Sequence, residues 1–311
     1  MKPREFVTSH SRLYPWGGYS VAPIYSRRVL DVPFHLDRLY SSCQLLDRTT
    51  LSGPAPPEAD FCSFVQEFVR AMQSVPLASV DSGLLTMCAG RDAAGAWRLS
   101  ALYSSVDKLA LLNGLTYSPS QQLCVDVVNY SRSTPAAKAA SWPLERQPLE
   151  QRRNRDAAET VLWHDGQLLE GLTSNLLVMR GAGLQTAPRG AVLGGSMAFL
   201  VRQVASGLGL QTAEQAPLLG ACSQYDAAFL CSATKPLVPI GRLLGENGET
   251  LRVFPERLPD ALLSLLTILR LGLHDCREML PDRSMWYNVG AFSGSSDDCI
   301  QELMRECQKL A

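Results

Sequence analysis

Residues 168–179 read "LLEGLTSNLLVM", and the placement of one carboxylate in that run, Glu170, decides how the chain is parsed. A carboxylate inside an apolar segment is costly without a partner, so Glu170 marks either an exposed turn or a specific cation. Upstream, "TVLWHDGQLLEG" (160–171) is an apolar strand, an Asp165-Gly166 turn and a second apolar segment, the sequence form of a two-residue β-hairpin. Downstream, "NLLVM" supplies another strand. Glu170 therefore precedes a Gly-Leu-Thr-Ser-Asn connection in which backbone N–H groups and small hydroxyls can approach a ligand. Two readings stand at this point, a solvated turn and a ligand-facing carboxylate.

Outward from this hairpin, strands and helices mix without a regular βαβ repeat. Leu123 to Val128 is an apolar strand, followed by a long polar connection that holds Lys138. After residue 180 come a strand near "GLQTAP", a helix at "GSMAFLVRQVASGLG", a strand at "DAAFLCSA" and a strand pair in "TKPLVPIGRLLGENGETL". Toward the N-terminus, "GYSVAPIYSRRVLDV" reads as two extended pieces. "PFHLDRLYSSCQLLDR" is a helix with Leu36, Leu39, Cys43 and Leu46 at helical spacing. A loop ("TTLSGPAPPEAD", 49–60), a helix over Ala59 to Met72 and a hairpin turning at Arg91 to Gly95 complete this part. The pattern predicts an α+β fold with no internal repeat. Loops such as "LNGLTYSPSQQ" carry domain boundaries, which places a division near residue 120. The expected organisation is an N-terminal α+β domain (1–120), a C-terminal α+β domain (121–255) and a helical extension (256–311) packed on the core or on a partner.

The 311 residues, 46% hydrophobic and 19% charged, suit a folded chain with a sizeable core. A formal net charge of −1 gives no general attraction to nucleic acid or anionic membrane. No apolar run reaches the roughly 18–20 residues of a membrane span, and the start lacks the apolar core of a secretory signal, so a cytoplasmic protein is expected. The nine cysteines are scattered without a CxxC pair and the four histidines are far apart, so neither a disulfide framework nor a metal site is expected. Only five of the 29 basic residues are lysine: Lys2, Lys108, Lys138, Lys235 and Lys309. Of the two cations only lysine loses its proton near neutral pH when desolvated, which makes it the candidate nucleophile or base.

Five stretches in order, "HLDRL" (35–39), "RSTPAAK" (132–138), "LLEGLTSNLLV" (168–178), "VLGGS" (192–196) and "CSATKPLVPI" (231–240), resemble the class IV aminotransferases. These are pyridoxal-phosphate enzymes of fold type IV, including D-amino-acid and branched-chain aminotransferases and aminodeoxychorismate lyase. "EGLTSN" is the most specific part, and the 32-residue step from Lys138 to Glu170 is similar to the family's spacing. The resemblance implies a two-domain fold type IV enzyme, with Lys138 holding the cofactor aldehyde as an imine and moving the substrate's α-proton. By the same resemblance, Glu170 holds the proton on the pyridine nitrogen and Arg38 binds the phosphate bidentately. Gly195 and Ser196 would receive the phosphate at a helix N-terminus, with Ser232 and Thr234 as further hydroxyl donors.

The implied activity is exchange of an amino group between an amino acid and a 2-oxo acid, in a homodimer. A lyase of the aminodeoxychorismate type and a non-catalytic binding protein on the same scaffold are the alternatives. Three departures qualify the match. Pro143 and Pro148 interrupt the region after Lys138, "GGS" replaces Gly-Ile-Thr, and no Arg-x-His pair stands near Met87 to Arg91. The last argues against a D-amino-acid enzyme.

Overall fold

The hairpin at 160–171 forms as its turn residues dictate. Asp165 and Gly166 take φ values of 48° and 75°. Both central residues of a type I′ turn need positive φ, which aspartate and glycine tolerate. This hairpin belongs to a computed structural model that describes residues 1–47, 57–75, 80–112, 115, 118, 122–277, 279, 285–288 and 297–308.

In chain order the elements begin α1 (Pro3–Leu13), β1 (Gly18–Tyr25), β2 (Arg28–Leu30), α2 (Val32–Leu46), α3 (Pro57–Gln73), β3 (Gly83–Arg91), β4 (Trp97–Ser105) and α4 (Lys108–Leu111). There follow β5 (Leu123–Asn129), α5 (Trp142–Glu145), α6 (Gln147–Arg152), β6 (Glu159–His164), β7 (Gln167–Gly171), β8 (Asn175–Arg180) and β9 (Gly183–Thr186). The last are α7 (Ser196–Gly207), β10 (Gln211–Glu214), β11 (Ala227–Ser232), β12 (Lys235–Leu244), β13 (Thr250–Val253), α8 (Asp260–His274), β14 (Trp286–Asn288) and α9 (Asp297–Gln308). The α+β class expected from the sequence is what the chain adopts.

These elements form two compact units. The first comprises residues 1–108, 137–145 and 280–311, so the short stretch around Lys138 and the C-terminal tail both join the N-terminal elements. Its sheet runs β14-β2-β1-β3-β4, and β3, paired with β1 on one side and β4 on the other, is buried at nearly every position. Helices α2 and α3 cover one face, with Leu36, Leu39, Phe64, Phe68 and Met72 packed against Ile24, Leu85 and Met87. The tail adds β14 beside β2, and α9 contributes Leu303 and Cys307 to the same core. Helix α2 begins after Asp31, whose backbone is left-handed at φ 52° and whose N–H donates to Met285 O at 2.7 Å. Pro33 sits in the first turn, where a missing N–H leaves no helix bond unmade.

The second unit comprises residues 109–136 and 146–279. Its strands follow the order β10-β9-β8-β11-β12-β5-β6-β7, and β7 also pairs with β8 through Glu170 and Asn175. That extra pairing closes six strands into a barrel-like ring, which leaves those strands no free edge there. Val125, Val127, Val161, Leu176, Val178, Leu230, Ile240 and Phe254 form its core. The prolines after Lys138 leave two short helices, α5 and α6, in place of one.

The loop expected at 49–60 lies outside the described residues as far as residue 56, and α3 already begins at Pro57. Much of the 112–122 connection, and Lys309, also lie outside them. No helix among the described residues is long and apolar enough to cross a membrane. No group of three or more His, Cys, Asp or Glu among them is placed to hold a metal ion.

Candidate active site

In the first unit the residues expected to bind phosphate and to carry the amine are brought together by α2 and β1. Arg38 and His35 are one turn apart on α2, and both reach Ser20 on β1. Arg38 Nη2 donates to Ser20 Oγ at 2.8 Å and to His35 Nδ1 at 3.2 Å, while Ser20 Oγ lies 2.9 Å from the same nitrogen. A guanidinium only donates, so Nδ1 is the accepting nitrogen and the ring proton sits on Nε2. Burial, reinforced by the charges of Arg38 and Lys138, holds the His35 pKa well below its ordinary value and the ring neutral. Burial also pushes the Arg38 guanidinium down to about 10, opposed by Tyr19 and Asp31. A cation so disfavoured gains from any anion that reaches it.

Lys138 lies on the short stretch that crosses β1. Its carbonyl accepts from Tyr19 N at 2.9 Å, and Ala140 N donates to Gly17 O at 2.9 Å. Its own N–H donates to Ser42 Oγ at 2.9 Å, and its Nζ stands 4.8 Å from the centre of the Tyr19 ring. The rival Lys235 begins β12 in the other unit, where its N–H donates to Ser232 Oγ.

In the second unit Glu170 is not a solvated turn residue. It is 5% exposed, on β7, and Arg132 Nη1 donates to its Oε1 at 2.9 Å, both side chains being 7% exposed. Arg132 opens the "RSTPAAK" stretch, and the sequence reading passed over it. The signal was available, since a buried carboxylate demands a cation, but 38 residues separate the two. Leu193 N donates to Glu170 Oε2 at 3.2 Å, and Asn175 Nδ2 donates to Leu193 O at 2.8 Å. These two bonds hold the "VLGGS" turn against β7 and β8.

Gly195 is the N-cap of α7 in extended conformation and has no side chain to satisfy the first N–H groups of the helix. A Cβ at Gly195 would run into Asn175 Oδ1, whereas one at Gly194 would meet nothing within 4 Å. Ser196, 5% exposed, starts the helix. Ser232 and Thr234 flank the turn between β11 and β12, their hydroxyls 3.3 Å apart. β11 pairs with β8 at Cys231 and Asn175, so Ser232 lies one residue beyond the strand row that carries Asn175 and Glu170. Arg38 and Lys138 are thus gathered in one unit, and Glu170, Gly195, Ser196, Ser232 and Thr234 in the other.

The donors suit a phosphorylated pyridine aldehyde. Each unit by itself offers part of that chemistry: in the first, a buried guanidinium suits an anion, and in the second, helix N–H groups without a side-chain cap and small hydroxyls suit a phosphate, while a paired carboxylate suits a ring N–H.

Comparisons with known proteins bear on family and fold. A sequence model of the family described as "Amino-transferase class IV" matches residues 19–243. A comparison with curated proteins finds no match. Among solved structures, the branched-chain amino acid aminotransferase of Escherichia coli superposes with a TM-score of 0.67 at 16% identity, over 91% of this chain and 93% of that one. The branched-chain aminotransferase of the archaeon Thermoproteus uzoniensis, solved with norvaline, gives 0.65 at 20% identity, over 91% and 93%. A hypothetical aminotransferase from Mycobacterium tuberculosis, bound to α-ketoglutarate and PMP, gives 0.61 at 20% identity, over 84% and 90%. At these identities the likeness is one of fold, that of the fold type IV aminotransferases.

Proposed function

The chain belongs to the class IV aminotransferase family, and on that premise we propose that it is a pyridoxal-phosphate enzyme exchanging an amino group between an amino acid and a 2-oxo acid. The observation that carries this reading is the buried Arg132–Glu170 pair. A carboxylate has about four acceptor positions, so a cation on one oxygen balances its charge and leaves capacity for a ring N–H.

When bound, pyridoxal phosphate supplies an aldehyde that takes up amino groups and a ring that draws electrons from the substrate's α-carbon. Lys138 would hold the cofactor through its amine, and the same amine would be the base that moves a proton at the substrate's α-carbon. Arg38 holds the phosphate, with Ser20 and neutral His35 orienting the guanidinium. The first N–H groups of α7, with Ser196, Ser232 and Thr234, would offer further donors to a phosphate, and Gly195 makes room for the Asn175 side chain beside that turn. Glu170, with Arg132 beside it, holds a proton on the pyridine nitrogen. The α-ketoglutarate bound by the M. tuberculosis protein supports a 2-oxo acid as acceptor. A homodimer in the cytoplasm completes the reading, and eight free cysteines, Cys43, Cys62, Cys88, Cys124, Cys222, Cys231, Cys276 and Cys307, fit a reducing compartment.

The test offers single L- and D-amino acids with 2-oxo acids to the protein loaded with pyridoxal phosphate, and measures new amino acid. Transfer that falls about 10²–10⁴-fold in Lys138→Ala is expected, the range of a general acid–base group. Pyruvate released without an acceptor would replace the transferase by a lyase. Cofactor retained with no transfer from any donor would replace it by a binding protein.

A further inference from the structure

Ser42 lies on α2 one helical turn beyond Arg38 and is 1% exposed. Its hydroxyl makes two bonds of different kinds. It donates to the Arg38 carbonyl at 2.6 Å and accepts from the Lys138 N–H at 2.9 Å. The first is a bond any helical serine makes to the carbonyl four residues back. The second joins residues 96 apart in sequence and satisfies the backbone donor of the half-buried Lys138.

We propose that Ser42 is a positioning residue for Lys138: its hydroxyl locks the lysine's backbone to the helix turn that carries Arg38, fixing the amine relative to the guanidinium. The proposal rests on the reading of Lys138 and Arg38 given above. Lys138 is held from both sides, its N–H by α2 and its C=O by Tyr19 of β1. With both backbone groups bonded, its Cα–Cβ direction is set, and the chain from Cβ runs across the Tyr19 ring. The spacing between β1 and α2 is set at Gly18. A Cβ there would come within 3.2 Å of Leu39 Cδ1 and 3.3 Å of both Ser42 Cβ and Cys43 Sγ. The helix therefore seats on β1 at the position facing Ser42, close enough for the hydroxyl to reach the lysine's amide. Serine fits this place for a physical reason: alanine has no acceptor, and a longer polar side chain has no room beside Gly18.

The experiment compares wild type, Ser42→Ala and Ser41→Ala, an exposed neighbour on the same helix. Two quantities are read: amide hydrogen exchange at Lys138 in the cofactor-free protein, and the apparent affinity and pH midpoint of the chromophore formed with pyridoxal phosphate. Ser42→Ala is expected to speed exchange at Lys138 by at least about 10-fold while the Tyr19 amide keeps its rate, as expected when one buried bond is lost. It is also expected to weaken cofactor retention by about 10-fold and move the chromophore midpoint. Ser41→Ala should match wild type in all three. Unchanged Lys138 exchange, or an unchanged midpoint and affinity despite faster exchange, overturns the proposal. If wild type forms no chromophore, the functional reading fails, and the exchange comparison alone decides whether Ser42 holds Lys138. If Ser42→Ala does not fold, an unprotected Lys138 amide in wild type overturns the tie and a protected one supports it.

Discussion

The two units handle charge in opposite ways. In the first unit, the Arg38 guanidinium donates to a serine and to an imidazole kept neutral by burial, Asp31 and Tyr19 oppose the burial penalty on it, and Lys138 acts on the same imidazole. In the second, strand β7 presents Glu170 already paired with Arg132. One unit gathers two cations around a buried neutral imidazole, and the other carries a buried ion pair that compensates itself. The first is therefore built to gain from an incoming anion, and the second to hold one proton in place without depending on a ligand for its own stability.

The largest expected effect is in the second unit. Glu170→Ala strands the Arg132 guanidinium in a site where both side chains are 7% exposed. Loss of one partner of a buried pair costs about 3–5 kcal/mol, measurable by denaturant unfolding. Replacing both at once, Arg132→Met with Glu170→Gln, removes the uncompensated charge and should cost clearly less than the sum of the two single changes. Additive losses would show that the pair is not coupled.

A smaller effect separates the units by pH. His10, on α1 in the first unit, is 6% exposed, and burial lowers its pKa from 6.5 to about 4. Because its folded value lies below the unfolded one, the unfolded chain takes up the proton first as pH falls. Stability is full above about pH 6.5 and declines toward pH 4, by about 1.4 kcal/mol per pH unit and about 3 kcal/mol in all. Buried His35 acts in the same direction. Acid should therefore open the first unit before the second in hydrogen exchange, and His10→Phe should flatten the decline. Simultaneous opening of both units would contradict the contrast.

What the sequence made legible follows the range of the interactions. The Asp165-Gly166 turn, the amphipathic spacing of α2 and the "EGLTSN" connection are local, and each formed where its residues placed it. The tie from Ser42 to Lys138, the Arg132–Glu170 pair and the pairing of β14 with β2 join residues far apart in the chain. β14 is also only three residues long, too short for an alternation to be read. Helix α1 is marked in the sequence only by its start, Pro3 in the first turn and Glu5 closing onto Lys2 N. Glu170 shows the boundary well: its burial demanded a cation, and only the fold could say which one.

The most direct test of the account is to treat wild type with pyridoxal phosphate, reduce with borohydride and map the modified peptide by mass. A single pyridoxyl group on the peptide containing Lys138 is predicted. A group on Lys235 or Lys108, or none, would contradict the assignment of the amine and the chemistry built on it.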